Sequence, residues 1–251
     1  MKILHPIGNI KIFLFKNLRN ILSKTILFFL SLILKIDTTV NEIIISSAFY
    51  APWKEDNVFF SFYQKVKKFT LLDPMRAYTL WYFTNNLRDK NADILDIGCM
   101  QGGAGFILSK INKKGFTYLI DTFEGFLEEE KYHKKKHFIY REISEVKNRI
   151  KKLKLKKTKV YKKNFPYNLD KSFNKKKFKI CHVDVNTYKS TKNTFNYIKN
   201  KMIKGGVIIF DDYGIYSTDG IKKFINEISK HQNKNYTFVY NFMGQCILIK
   251  K

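Results

Sequence analysis

GGVIIFDDYG, residues 205–214, decides how the chain is to be read. Val207, Ile208, Ile209 and Phe210 form an apolar run without alternation. Such a run suits a strand buried on both faces, as a parallel strand is between two layers of helices. Two adjacent aspartates follow, so the strand carries a pair of carboxylates to one edge of its sheet.

Outward from this strand the same pattern recurs. ADILDIG (92–98), FTYLIDTF (116–123), TKVYKK (158–163) and FKICHVDV (178–185) read as further strands. Between them apolar residues repeat at helical spacing. Examples are Ala104, Ile107, Leu108 and Ile111, then Ile139, Ile143, Val146, Ile150 and Leu153. Phe195, Ile198 and Met202 form another stripe, and Ile221, Phe224, Ile225 and Ile228 a fourth. Segment 73–87 opens as a helix with Asp73 as N-cap and Pro74 in the first turn. YTFVYNF (236–242) and QCILIKK (245–251) flank Met243-Gly244 and read as a hairpin. The alternation predicts an α/β fold: a doubly wound, mostly parallel, Rossmann-like sheet of seven strands. The hairpin makes its last strand antiparallel. Residues 1–48 form a basic, apolar helical extension, and 49–251 form the domain.

With 45% hydrophobic and 16% aromatic residues in 251, the chain can bury a full core. Its net charge is +26, and 42 of its 47 basic residues are lysine. Between Lys131 and Lys179 stand 20 basic residues against three acids, which supplies +17 of that charge. Such a field attracts anionic partners; a solvated lysine surface made by biased composition is the alternative. Cys99, Cys181 and Cys246 are few, odd in number and without C-x-x-C spacing. They imply a reducing compartment, no structural zinc, and three small buried apolar residues.

TILFFLSLIL (25–34) is bracketed by Lys24 and Lys35. It falls well short of the roughly 20 residues that a spanning helix needs. No small-residue cleavage site follows it. In the preceding KIFLFKNLRNILSK, Leu14, Leu18 and Ile21 share a helical face. Residues 1–36 therefore suit an in-plane membrane anchor, or a helix packed on the domain or on a second subunit. The expected location is the cytoplasm, at the inner face of the membrane if this helix lies on lipid. A homo-oligomer is an open expectation.

The strand ends carry Asp96, Asp121, Asp184, Asp211 and Asp212. In sheets of this class, ligands bind beyond those ends. DIGCMQGGAG (96–105) joins the first strand to the helix after it, and its glycines permit close approach of a ligand to the backbone. Gly98, Gly102, Gly103 and Gly105 do not have dinucleotide spacing. Asp96, Gly98 and Gly102, with Gly103, fit the looser loop that lies along S-adenosylmethionine. Asp121, 25 residues after Asp96, stands where a carboxylate would accept both protons of a ribose diol. On neighbouring strands, Asp184 would meet Asp211 and Asp212. Three carboxylates repel one another unless a cation joins them, and a hard ion such as Mg²⁺ fits.

YAPWKEDNVFFSFYQKVKKFTLLDPMRAYTLW (50–81), DIGCMQGGAGFIL, DTFEGF, HVDVNTYKST and GGVIIFDDYG, in this order, resemble the macrocin O-methyltransferase (TylF-type) family. The resemblance runs from about residue 49 to the C-terminus. It implies a class I methyltransferase fold and S-adenosylmethionine-dependent, Mg²⁺-dependent methylation of a sugar hydroxyl. It implies that Gly98, Gly102 and Asp121 contact the cofactor, and that Asp184, Asp211 and Asp212 bind the metal. Two positions depart from the family's pattern. Asn186 stands where an Asp is usual. The His-bearing loop that supplies the base is replaced by LEEEKYHKKKHFIYRE (127–142). His137 or His133 is the candidate base there, with a solvated surface histidine as the alternative for each. His182 reads as a packed or supporting residue.

The expected acceptor is a small molecule or glycan, and the basic crevice suggests an anionic one. Nucleic acid is not expected. Five arginines leave few of the forked base readers such enzymes favour, and no N-P-P-Y-type motif is present. The remaining alternative is a catalytically degenerate, membrane-associated binding protein.

Overall fold

The computed structural model describes residues 51–129, 134–215 and 218–251, with helical Leu18, Ile21, Leu22, Thr25, Ile26, Phe28 and Phe29. By its contacts the chain divides into Met1–Pro52 and Trp53–Lys251, and the sheet lies wholly in the second unit. Among the described residues no helix is long and apolar enough to cross a membrane.

Seven strands form one sheet: β1 (Asp93–Ile97), β2 (Thr117–Asp121), β3 (Thr158–Lys162), β4 (Phe178–Val183), β5 (Met202–Phe210), β6 (Tyr236–Asn241) and β7 (Gln245–Lys250). Their order is β3-β2-β1-β4-β5-β7-β6. The first five run parallel, and β7 is antiparallel to both its neighbours. This is the predicted doubly wound sheet with its closing hairpin. The chain leaves β1 in one direction and resumes on its other side at β4. A crevice opens at such a reversal, beyond the C-terminal strand ends.

Helices α1 (Asn57–Val66), α2 (Pro74–Leu87), α3 (Gly103–Ile111), α4 (Ile143–Lys152), α5 (Tyr188–Ile198) and α6 (Asp219–Ser229) accompany the sheet. Asp73 caps α2 as its position implied, accepting from the backbone N–H of Met75 and Arg76 at 2.8 and 3.0 Å. Asp56 caps α1 through Phe59 N–H and accepts from Trp81 Nε1 at 2.8 Å, which ties α1 to α2. The three cysteines are free and buried, as expected.

Alternate residues along the strands feed two cores. Ile94, Leu119, Ile180, Val207 and Ile209 join α1, α2 and α3 on one face. Leu95, Ile97, Cys181, Val183, Ile208 and Phe210 join α5 and α6 on the other. In β4 the alternation is interrupted at Lys179. Phe178 pairs with Asp93 and Ile180 with Ile94, so one extra residue bulges from β4. Phe178 therefore faces the second core and Ile180 the first. A one-residue slip of this kind exchanges the faces of everything that follows. Lys179 is fully buried, and its Nζ donates to the carbonyls of Arg88, Lys90 and Lys114 at 3.1, 3.0 and 2.8 Å.

One element begins earlier than its sequence pattern implied. Met202 fits the stripe of the preceding helix, but α5 ends at Ile198 and Met202 opens β5. Met202 pairs with Phe178 and Val207 with Ile180, so Ile203–Gly206 are looped out opposite the β4 bulge. Gly205 takes φ +72° there, a conformation that suits glycine.

Lys179→Met should leave three carbonyls without their donor and free the bulge. The expected loss is about 3 kcal/mol, read as a lower urea midpoint with an unchanged m-value.

Candidate active site

Period-two geometry assembles the site. Ile94 and Asp96 share a face of β1; Ile180 and His182 share a face of β4; Val207 and Ile209 share a face of β5. Asp184 and Asp211 continue that spacing just past their strand ends. Register pairs Asp96 with His182 and His182 with Ile209. Adjacent strands thus bring Asp96 Oδ1 within 2.7 Å of His182 Nδ1, with both residues buried. His182 Nε2 has no hydrogen-bond partner among the described residues. Ligand-capable atoms of His182, Asp184 and Asp211 lie within 4.8 Å of one another.

Helix α2 crosses the same face and supplies Arg76. Its Nη1 donates to Asp211 Oδ2 at 2.6 Å and to Asp212 Oδ1 at 2.8 Å. The other oxygen of Asp211 accepts from Gln245 Nε2 on β7 at 2.8 Å. Each group shifts accordingly. Burial alone would keep His182 neutral, but the bond to Asp96 and the charges of Asp96, Asp211 and Asp184 outweigh it and lift its pKa to about 9. Burial, with Asp211 and Asp212 adding to it, pushes Asp184 well above the usual carboxylate range, against the pull of His182. Burial raises Asp211 too, opposed by His182 and Arg76.

A cavity of about 330 Å³ opens over these groups. Gly98, Met100, Asp121, His137, Asp184, Asp211 and Asp212 all line it. Gly98 has φ +86°, and a Cβ there would stand 1.8 Å from the Asp184 carbonyl oxygen, so any side chain would force the β1 and β4 ends apart. Asp121 accepts from Met100 N–H at 2.8 Å and from Phe123 N–H at 2.7 Å, which joins the glycine loop to the end of β2. Burial raises its pKa while those two bonds lower it.

The other expected residues stand differently. Asp96, Gly102 and Gly103 are not among the lining residues. A Cβ on Gly103 would lie 2.5 Å from Phe69 O, so that glycine admits the segment Phe69–Leu72, which itself walls the cavity. His137 lines the cavity from the basic loop, where its carbonyl accepts from Phe126 N–H at 3.1 Å. His133 lies outside the described residues. Asn186 lines the cavity in a left-handed conformation, φ +58°, with a buried Oδ1 that has no partner among the described residues. Arg76 and the wall at Phe69–Leu72 lie within the 50–81 stretch that carries the family resemblance, but no site role is read there, and Gln245 carries no motif. A further signal for Arg76 is its type: it is one of five arginines among 47 basic residues.

The model of the macrocin-O-methyltransferase (TylF) family matches residues 78–239, which hold the glycine loop and every strand-end aspartate. The chain belongs to that family. It is an S-adenosylmethionine-dependent methyltransferase. No curated protein matches it. The solved structure of the O-methyltransferase NovP is similar over 73% of this chain and 82% of its own, at 15% identity and a TM-score of 0.59. CalS11, a calicheamicin methyltransferase, is similar over 82% of this chain and 99% of its own, at 10% identity and 0.59. An O-methyltransferase from Bacillus cereus in complex with SAH is similar over 86% and 96%, at 15% identity and 0.50. At these identities the structural likeness speaks for the fold, and membership rests on the family match.

His182 is protonated when folded up to a pH of about 9, above the ordinary 6.5. Its contribution to stability is therefore complete below pH 6.5 and lost as pH rises through 9. The difference in unfolding free energy between wild type and His182→Gln should be about 3 kcal/mol at pH 6 and shrink toward pH 9.5. Urea unfolding at stepped pH reads it.

Proposed function

We propose that this enzyme methylates a hydroxyl of a sugar or glycoconjugate, with Mg²⁺ held by Asp184, Asp211 and Asp212. The observation that carries this reading is one cavity lined by Gly98 and Met100 of the glycine loop together with Asp121, Asp184, Asp211 and Asp212. The residues suit a divalent ion in charge and in donor type. The carboxyl groups of Asp96, Asp184, Asp211 and Asp212 outnumber the two cations beside them, His182 and Arg76, and burial holds Asp184 and Asp211 above the usual carboxylate range, a strain that a divalent ion would relieve. Carboxylate oxygens are what such an ion prefers. Bound there, it would act as a Lewis acid toward an acceptor oxygen.

Asp96, Gly98, Gly102, Gly103 and Asp121 are assigned to the cofactor, which supplies an electrophilic methyl group when bound. Asp121 and the backbone around Gly98 hold it; Asp96 acts from beneath through His182, and Gly102 and Gly103 shape the loop. His137, on the cavity wall, would accept the proton of the acceptor hydroxyl. Phe69, Phe126, Phe138 and Phe165 line the same cavity and would exclude water from the bound acceptor. Holding the acceptor in place would contribute much of the rate. Lys163 also lines the cavity, which favours an anionic acceptor.

Residues 49–251 are assigned to catalysis, and 1–48 to attachment at the inner face of a membrane. Leu18, Ile21, Leu22, Ile26 and Phe29 recur at helical spacing and are exposed, and the sequence around them is basic.

Methyl transfer to nucleotide-linked sugars and glycan extracts, read by product mass spectrometry, should stop with EDTA and return with Mg²⁺. Undiminished turnover in EDTA would remove the metal from the reading. Asp121→Ala should weaken cofactor binding at least tenfold by calorimetry, and His137→Ala should lower kcat by about 10²-fold. Separately, the full chain should float with vesicles containing anionic phospholipid and stop floating when Leu22 and Phe29 are changed to Glu.

A further inference from the structure

Arg76 makes contacts that a structural ion pair alone does not require. Nε holds Asp73 Oδ2 at 2.8 Å, and Nη2 donates to Leu71 O at 3.3 Å. Nη1 bridges Asp211 and Asp212. One guanidinium thus joins the cap of α2, the cavity wall and two of the carboxylates assigned to Mg²⁺. With Gln245 on the remaining oxygen of Asp211, both oxygens of that group are already engaged.

We propose that the Arg76 guanidinium and the divalent cation compete for Asp211 and Asp212, so that Arg76 is a built-in counter-cation which the metal displaces. The inference rests on the metal-dependent reading above. Its physical basis is charge. Without a cation, the carboxylates of Asp184, Asp211 and Asp212 would repel one another in a partly buried crevice. Arg76 removes that repulsion and keeps the carboxylates converged before any ion arrives. A cation that then takes up the same oxygens meets a fixed positive charge at close range, and the two repel. The guanidinium is pinned by Asp73 and Leu71, so its displacement loosens a wall the cavity depends on. Leu71 and Leu72 line that cavity, and Phe69–Thr70 pack on Gly103 beside the glycine loop. Metal occupancy is thereby felt where the acceptor enters.

The test uses Mn²⁺ as the probe ion on the full chain, with affinity read by electron paramagnetic resonance. Arg76→Gln and Arg76→Lys should both bind it at least tenfold more tightly than wild type. The lysine variant decides the matter. It keeps the charge but loses the pins to Asp73 and Leu71, so it yields the carboxylates more readily. A gain confined to Arg76→Gln would mean simple charge removal and would overturn displacement, as would equal affinity in all three proteins. No Mn²⁺ binding by any of them, with S-adenosylmethionine still bound, would overturn the metal reading and the competition together. Hydrogen exchange on wild type needs no variant. Saturating Mg²⁺ should quicken exchange in residues 69–73 while slowing it in 211–214; slowing of both segments would overturn the proposal.

Discussion

Asp96, Asp184 and Asp211 converge on one face of one sheet with Asp212 beside them, and Asp96 and Asp211 are buried. Burying that much like charge is unfavourable by several kcal/mol per ion unless cations and donors sit among the groups. The surrounding structure answers this constraint. His182 is held protonated beneath the cluster by Asp96, and Arg76 reaches in from above. Gln245, fully buried on the antiparallel strand, satisfies the oxygen of Asp211 that Arg76 leaves. The C-terminal hairpin therefore does more than close the sheet edge.

The phase of β4 is the second condition. Asp96, His182, Asp184 and Asp211 share a face only because the Lys179 bulge shifts the alternation by one residue. Without it, His182 would turn into the aromatic core beneath α5 and α6, and Asp96 would lose its partner. The three-carbonyl grip on Lys179 thus acts at the far end of the strand from the chemistry it makes possible.

Arginine use in this lysine-rich chain follows the same logic. Arg149 stacks over Phe69 with its Cζ 4.2 Å from the ring centroid, donates to Gln101 O and to Tyr140 Oη, and pairs with Glu145. It links α4, the cavity wall and the glycine loop in one plane of donors. A lysine at 149 or 76 would gather its acceptors around one nitrogen, as Lys179 does, and lacks the planar fork that reaches acceptors set apart on either side. At the surface a single solvated charge suffices, and there lysine prevails.

The order of strands and helices was legible in the sequence, because apolar periodicity records which faces are buried. The cap of α2, the doubly wound sheet and the acidic strand ends follow from the same local physics. So does the bringing together of Gly98, Asp121, Asp184, Asp211 and Asp212, since sheets of this class gather their strand ends at one crevice. What the sequence could not carry is the phase and the partners. Met202 fits a helical stripe as well as a strand, and only its pairing opposite the β4 bulge makes it a strand residue. Arg76 lies 135 residues from Asp211, and Gln245 34 residues beyond it. Such contacts depend on how whole elements pack, and no local pattern of side chains encodes a meeting between elements so far apart in the chain.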